Sequence, residues 1–157
     1  MISPSARSKF VRHVVEFIEK YNFDGLDLDW EYPKCWQVDC KKGPDSDKEN
    51  FALWVKELKE AFRPKGLLLS AAVSPSKKVM DLGYDIPSIA QDLDWIAVMT
   101  YDYHGHWDKK TGHVSPMYAH PEDDYDYFNT DFTMKYWMEN GAPANKLVMG
   151  MPLYGQG

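Results

Sequence analysis

Cysteine is nearly missing from this chain: two of 157 residues, Cys35 and Cys40. A scaffold held together by several disulfides is therefore excluded. The pair leaves two readings open, free thiols in a loop or one local disulfide formed in an oxidising compartment; a zinc site would need further ligands nearby. Long apolar runs are missing too. The longest stretches, 67–69 with 71–73 and 95–99, are strand-sized, far below the roughly 20 residues that span a bilayer. The opening Met1-Ile2-Ser3-Pro4 lacks the basic and apolar regions of a signal peptide, so no targeting segment is expected here. Nor is there an excess of positive charge. Lys and Arg number 18 against 24 Asp and Glu, a formal charge of −6, which argues against a nucleic-acid partner.

Aromatic and apolar residues are plentiful. At 15% aromatic and 44% hydrophobic, the chain can bury the core of one domain and does not read as disordered. Helix and strand signals alternate along it. Phe10, Val14, Phe17, Ile18 and Tyr21 mark one face of a helix over about 5–21, at helical spacing. A strand over 25–31 and a loop over 33–45 follow. Ser46-Asp47-Lys48-Glu49 has the pattern of a capping box opening a helix with Phe51, Trp54, Val55, Leu58 and Phe62 on one face. Further strands are expected over 67–73, 95–100 and 146–151, a short helix over 87–91, and a helix capped by Asn129 or Thr130 and ending before Gly141. The stretch 101–128 has no period and reads as a loop. Strands alternating with helices imply an α/β chain with a parallel sheet.

The strand over 25–31 is unusual. Parallel strands are normally apolar on both faces, yet Leu26, Leu28 and Trp30 alternate here with Asp27, Asp29 and Glu31. Period two places the three carboxylates on one face, roughly 6.6 Å apart. An edge strand with a wet acidic face is the plain reading. The preceding and following helices argue instead for an interior acidic face. Crowded carboxylates do not all ionise easily, which is how a general acid is made. Glu31, last in the run and longest in reach, is the natural proton donor, and Asp29 its natural partner. A divalent metal held by the same carboxylates is the rival reading.

The segment Asp24-Gly25-Leu26-Asp27-Leu28-Asp29-Trp30-Glu31-Tyr32-Pro33 resembles the D-x-x-D-x-D-x-E signature of glycoside hydrolase family 18, the chitinases. Leu69-Ser70-Ala71-Ala72-Val73, Met99-Thr100-Tyr101-Asp102-Tyr103-His104-Gly105 and Gly150-Met151-Pro152-Leu153-Tyr154-Gly155 resemble the family's later barrel strands, in the family's order. The loop between Cys35 and Cys40 is similar to that of arthropod chitinases. The resemblance implies a (β/α)₈ TIM barrel, of which this chain would hold about strands four to seven. Residues 1–157 are then expected to be part of a catalytic domain, incomplete at both ends. The missing barrel strands, or self-pairing, would complete it.

The resemblance also implies chemistry. Chitin, a β-1,4-linked N-acetylglucosamine polymer, would be hydrolysed with retention through substrate assistance. Glu31 would be the general acid and base, Asp29 would orient the acetamido group, and Asp27 would hold Asp29. Tyr101 would donate to the acetamido oxygen, and Asp102 would contact the same sugar. Asp24 is read as structural. Sugar faces pack on rings, so Tyr32, Trp107 and Tyr154 are candidate platforms, with Met99 on the cleft floor. Trp36 is a weaker candidate in its loop. Trp30, Trp54, Trp95 and Trp137 are expected to pack helices on strands.

His104, His106 and His113 suggest zinc, but nothing in the sequence brings these loop residues together, so no metal and no cofactor are expected. The expected partner is chitin or N-acetyl-chitooligosaccharides, with no nucleic acid and no membrane span, in an extracellular parent protein. Endo action is the expected mode. The competing functions are a chitin-binding lectin without catalysis, against which Glu31 speaks because lectin relatives typically lack the acid, an inactive fragment, and a divalent-metal domain.

Overall fold

A computed structural model describes residues 3–156. Ser3 and Pro4 start helix α1 (Pro4–Tyr21), the Ser3 hydroxyl accepting from the Ala6 N–H. The helix stops at Asn22, whose left-handed backbone returns its N–H to Glu19 and Ile18 carbonyls, the usual way to satisfy a helix end. Strand β1 (Gly25–Leu28) follows, then α2 (Asp47–Phe62), β2 (Leu68–Val73), α3 (Lys77–Gly83), α4 (Ile86–Asp92), β3 (Trp95–Val98), α5 (Thr130–Glu139) and β4 (Leu147–Met149). Asn129 caps α5 by accepting from the Phe132 N–H at 2.9 Å. Gly141, at φ +110, turns the chain after it, a conformation cheap only for glycine.

All strand pairs are parallel, and the sheet order is β1-β2-β3-β4. A strand order that never reverses, with crossovers of one hand, sends the connecting helices to one face of the sheet. Burial follows that geometry. Leu28, Leu69, Ala71, Val73, Ile96 and Val98 are buried in one core with Phe51, Val55, Leu58, Phe62, Ile89 and Trp137 from the helices. On the opposite face Asp27 aligns with Ser70, and Ser70 with Trp95; Asp27 and Trp95 are exposed. The α1–α2 contact is fastened by buried Arg7, which donates to Glu57 and Asn50.

Several expectations need correction. β1 ends at Leu28 rather than residue 31, so Asp29 and Glu31 lie beyond the strand. Within this chain Asp27, Asp29 and Glu31 are exposed, Asp27 lying on the sheet face that the helices leave open. Ser46 is no capping box: its backbone is already helical and its side chain makes no cap bond. Asp47 is instead taken by the preceding loop, accepting from the Lys34 N–H and the Trp36 indole. Phe17 and Tyr21 are about half exposed and cluster with Phe23, ring centroids 4.7 and 6.0 Å apart. Trp95, facing away from the helices, is exposed rather than packed between layers. Helix α3 had no counterpart among the expected elements.

Candidate functional site

The segments that follow the strands' C-terminal ends hold the candidate site residues. After β1, the Glu31–Tyr32 peptide is cis. Cys35 and Cys40 form a disulfide and are both buried. The loop they close holds Gln37 and Val38 in left-handed backbone and is tied to α2 by the Trp36 indole, which donates to Asp47 at 2.8 Å. Trp36 therefore serves the loop's anchorage.

Glu31, Tyr32, Met99, Tyr101, Asp102 and Trp107 line one cavity of about 500 Å³, within the roughly 300–1,000 Å³ typical of small-molecule clefts. Asp27, Asp29 and Tyr154 do not line it. Asp27 sits lower, on the open sheet face, where the Ser70 hydroxyl donates to it at 2.5 Å. Asp29 still acts on the cavity through its charge. Burial first, then the charges of Asp102, Asp29 and Glu31, raise the Tyr101 phenol above its ordinary pKa. Burial and then the Glu31 charge do the same, more strongly, to Tyr32. These two hydroxyls therefore stay protonated, as donors, across the physiological range.

The segments after β3 and β4 are joined at the rim. Asp102, at φ +57, accepts from the Tyr154 hydroxyl and from the Gln156 amide, both at 2.9 Å. Desolvation and the Asp102 carboxylate push the Tyr154 phenol up to about 12. Gly150 makes this junction possible: a Cβ there would stand 2.7 Å from the Tyr101 ring and 2.8 Å from the Val98 carbonyl. The Thr100 hydroxyl donates to the Gly150 carbonyl at 2.7 Å and fastens the same crossing.

Sequence reasoning missed several cavity residues. Val38 comes from the disulfide loop, Lys77 from the start of α3, and Tyr103, Tyr127 and Phe128 from the long loop. Buried Tyr103 donates to the Thr133 hydroxyl of α5 at 2.7 Å. Only the aromatic density of 118–128 could have signalled the last two, since a loop has no period. Two other hollows are larger. One, about 640 Å³ between α2 and α4, has no aromatic lining, and the other, about 1,150 Å³, lies within the loop around His104 and His120; neither holds Glu31.

No group of three or more His, Cys, Asp or Glu placed to hold a metal occurs among the described residues. His104 faces Asp108 at 3.1 Å. Among the described residues no helix is long and apolar enough to cross a membrane.

The sequence profile of the glycosyl hydrolases family 18 matches residues 1–157. Probable chitinase 10 of Drosophila melanogaster is 68% identical over 154 residues, which is 98% of this chain and 7% of that protein. Catalytic domain 2 of the Ostrinia furnacalis Group II chitinase, solved as a mutant in complex with penta-N-acetylchitooctaose, is 62% identical with a TM-score of 0.95, over 96% of this chain and 39% of that one. Human YKL-39, described as a pseudo-chitinase with retained chitooligosaccharide binding, is 34% identical with a TM-score of 0.84, over 96% of this chain and 42% of that one. The chain thus spans well under half of each of these relatives.

Proposed function

As the chain belongs to glycosyl hydrolases family 18, its four parallel strands being part of that family's TIM barrel, we propose that it carries the acid and half the cleft of a chitinase that cuts β-1,4-linked N-acetylglucosamine polymers. The observation that carries this is the shared cavity of Glu31, Tyr101 and Asp102 with the rings of Tyr32 and Trp107. Residues 1–157 then supply strands four to seven of a catalytic domain, whose remaining strands pair with β1 and β4. Exposed Val148 and Met149 at the β4 edge fit that pairing. Endo action and an extracellular parent complete the reading; the disulfide fits an oxidising compartment.

Glu31 gives its proton to the glycosidic oxygen as the bond to C1 breaks. The acetamido carbonyl oxygen of the same sugar closes on C1 and forms an oxazolinium ion. Asp29 accepts the acetamido N–H and balances the positive charge, and Asp27, held by Ser70, adds to the negative potential below. Tyr101 donates its O–H to the acetamido oxygen, aimed where charge develops. Water then attacks C1, Glu31 takes its proton, and the β-configured product leaves. Asp102, fixed by Tyr154 and Gln156, hydrogen-bonds the same sugar. Met99 lies beneath it, Tyr32 and Trp107 pack on sugar faces, and Tyr154 acts from the rim through its bond to Asp102.

The test is Glu31→Gln in the catalytic domain that contains this chain, assayed on a fluorogenic N-acetyl-chitooligosaccharide. Turnover should fall by about 10²–10⁴ with oligosaccharide binding retained. Undiminished turnover would refute the acid assignment. A wild-type domain that binds but never hydrolyses would make this a lectin.

A further inference from the structure

Ser74 follows β2 and has no part in the chemistry above, yet it lines the same cavity as Glu31 and Tyr32. It is 1% exposed, and its polar atoms are taken one after another. The backbone N–H donates to the Tyr84 hydroxyl at 3.3 Å, and the carbonyl accepts from the Trp137 indole at 3.2 Å. Both of those rings are buried, with centroids 5.4 Å apart. The Ser74 hydroxyl oxygen accepts from the Ser76 N–H at 3.1 Å. What is left is the hydroxyl proton. Its neighbour is buried Tyr32, whose own hydroxyl has two side-chain hydrogen-bonding neighbours, Ser74 and Glu31.

We propose that Ser74 is a positioning residue for the acid of the reaction: its hydroxyl donates to the Tyr32 oxygen, and the Tyr32 hydroxyl donates in turn to the Glu31 carboxylate. The two ends of this chain set its direction. The Ser76 N–H only donates and an ionised carboxylate only accepts, so the hydroxyls between them pass their protons toward Glu31. Hydrogen bonds aligned in this way polarise one another. Glu31 is exposed and has a long side chain, so its aim depends on an outside hold. Tyr32 provides the hold, and Ser74 fixes Tyr32 to the end of β2, itself clamped by Tyr84 and Trp137. The hold is strongest once Glu31 has given up its proton, because a donor binds a charged oxygen more tightly than a neutral one. The carboxylate then stays aimed at the water whose proton it takes. An interaction that strengthens as charge develops acts on turnover rather than on substrate binding.

This inference rests on the chitinase reading, and the experiment separates the two. In the catalytic domain that contains this chain, Ser74→Ala should lower kcat on a fluorogenic N-acetyl-chitooligosaccharide about 3- to 10-fold, with KM held within about twofold. The double variant Ser74→Ala/Tyr32→Phe should fall no further than Tyr32→Phe alone, since Ser74 acts through the Tyr32 hydroxyl. Should Ser74→Ala melt early, Tyr32→Phe, which leaves the Ser74 clamp whole, provides the reading by the same loss of kcat at constant KM. Wild-type kcat in either single variant, a loss confined to KM, or losses that multiply in the double variant overturn the chain of hydroxyls and leave the chitinase standing. A wild-type domain that does not hydrolyse the substrate overturns both.

Discussion

Tyr154 donates its hydroxyl to Asp102 at 2.9 Å and so joins the segment after β4 to the segment after β3. Gln156 is the second donor to the same oxygen. Both lie on the last described turn of chain, so the carboxylate's aim depends on a neighbouring strand's extension. A hydrogen bond to a charged group is worth about 1.5–3 kcal/mol, and the remaining Gln156 bond favours the lower end. Tyr154→Phe in the catalytic domain should lower kcat/KM on N-acetyl-chitooligosaccharides about tenfold. Steady-state kinetics beside Asp102→Asn checks this; a wild-type value would mean that Asp102 holds its place unaided.

A second expectation concerns alkaline stability. Burial pushes the Tyr103 phenol up to about 12, outweighing its hydrogen bond to Thr133. The ordinary value is 10. Between the two, the unfolded chain has released this proton while the native one retains it. The native state then binds more protons, so stability falls as pH rises through that window and is fully present below it. Tyr103→Phe removes this titration. Its melting temperature relative to wild type should therefore improve from pH 10 to 12, whatever offset the lost hydrogen bond sets at pH 8. A constant offset across the series would exclude Tyr103 as a source of alkaline loss.

The helix layer offers a third. Trp137 on α5 is fully buried, its indole donating to the Ser74 carbonyl at 3.2 Å and its ring 5.4 Å from that of Tyr84. Trp137→Ala leaves both a cavity and an unpaired carbonyl. The expected loss is about 3–5 kcal/mol, read by denaturant unfolding of the domain. A loss below about 1 kcal/mol would mean that the site collapses around the gap.

Much of the architecture was legible because helical and strand periods report burial directly. Phe51, Trp54, Val55, Leu58 and Phe62 lie on one buried face of α2, as their spacing requires. The parallel alternation followed from the order of those periods. α3 escaped because seven residues make two turns, too few to establish a period. The capping pattern at Ser46 failed for a tertiary reason: the disulfide loop brings the Lys34 N–H and the Trp36 indole onto Asp47, and Ser46 is drawn into helical backbone. Phe17 and Tyr21 have core spacing without any covering element among the described residues. At the site, the carboxylates of 27–31 announced themselves by alternating where a parallel strand should be apolar. Tyr127 and Phe128 had no such contrast, since their placement depends on how the long loop between β3 and α5 folds back.

The sheet's strand order repeats the order of the chain. Each βα unit therefore docks on the one made just before it, and no later segment must thread between two already paired. On a ribosome, where synthesis proceeds at about 5–20 residues per second, β1 offers its free edge to β2 as soon as α2 has emerged. The growing domain lengthens like a course of bricks, one edge always open for the next. Among these units, the acidic end of β1 is in place before the loop after β3 arrives to wall the cavity beside it.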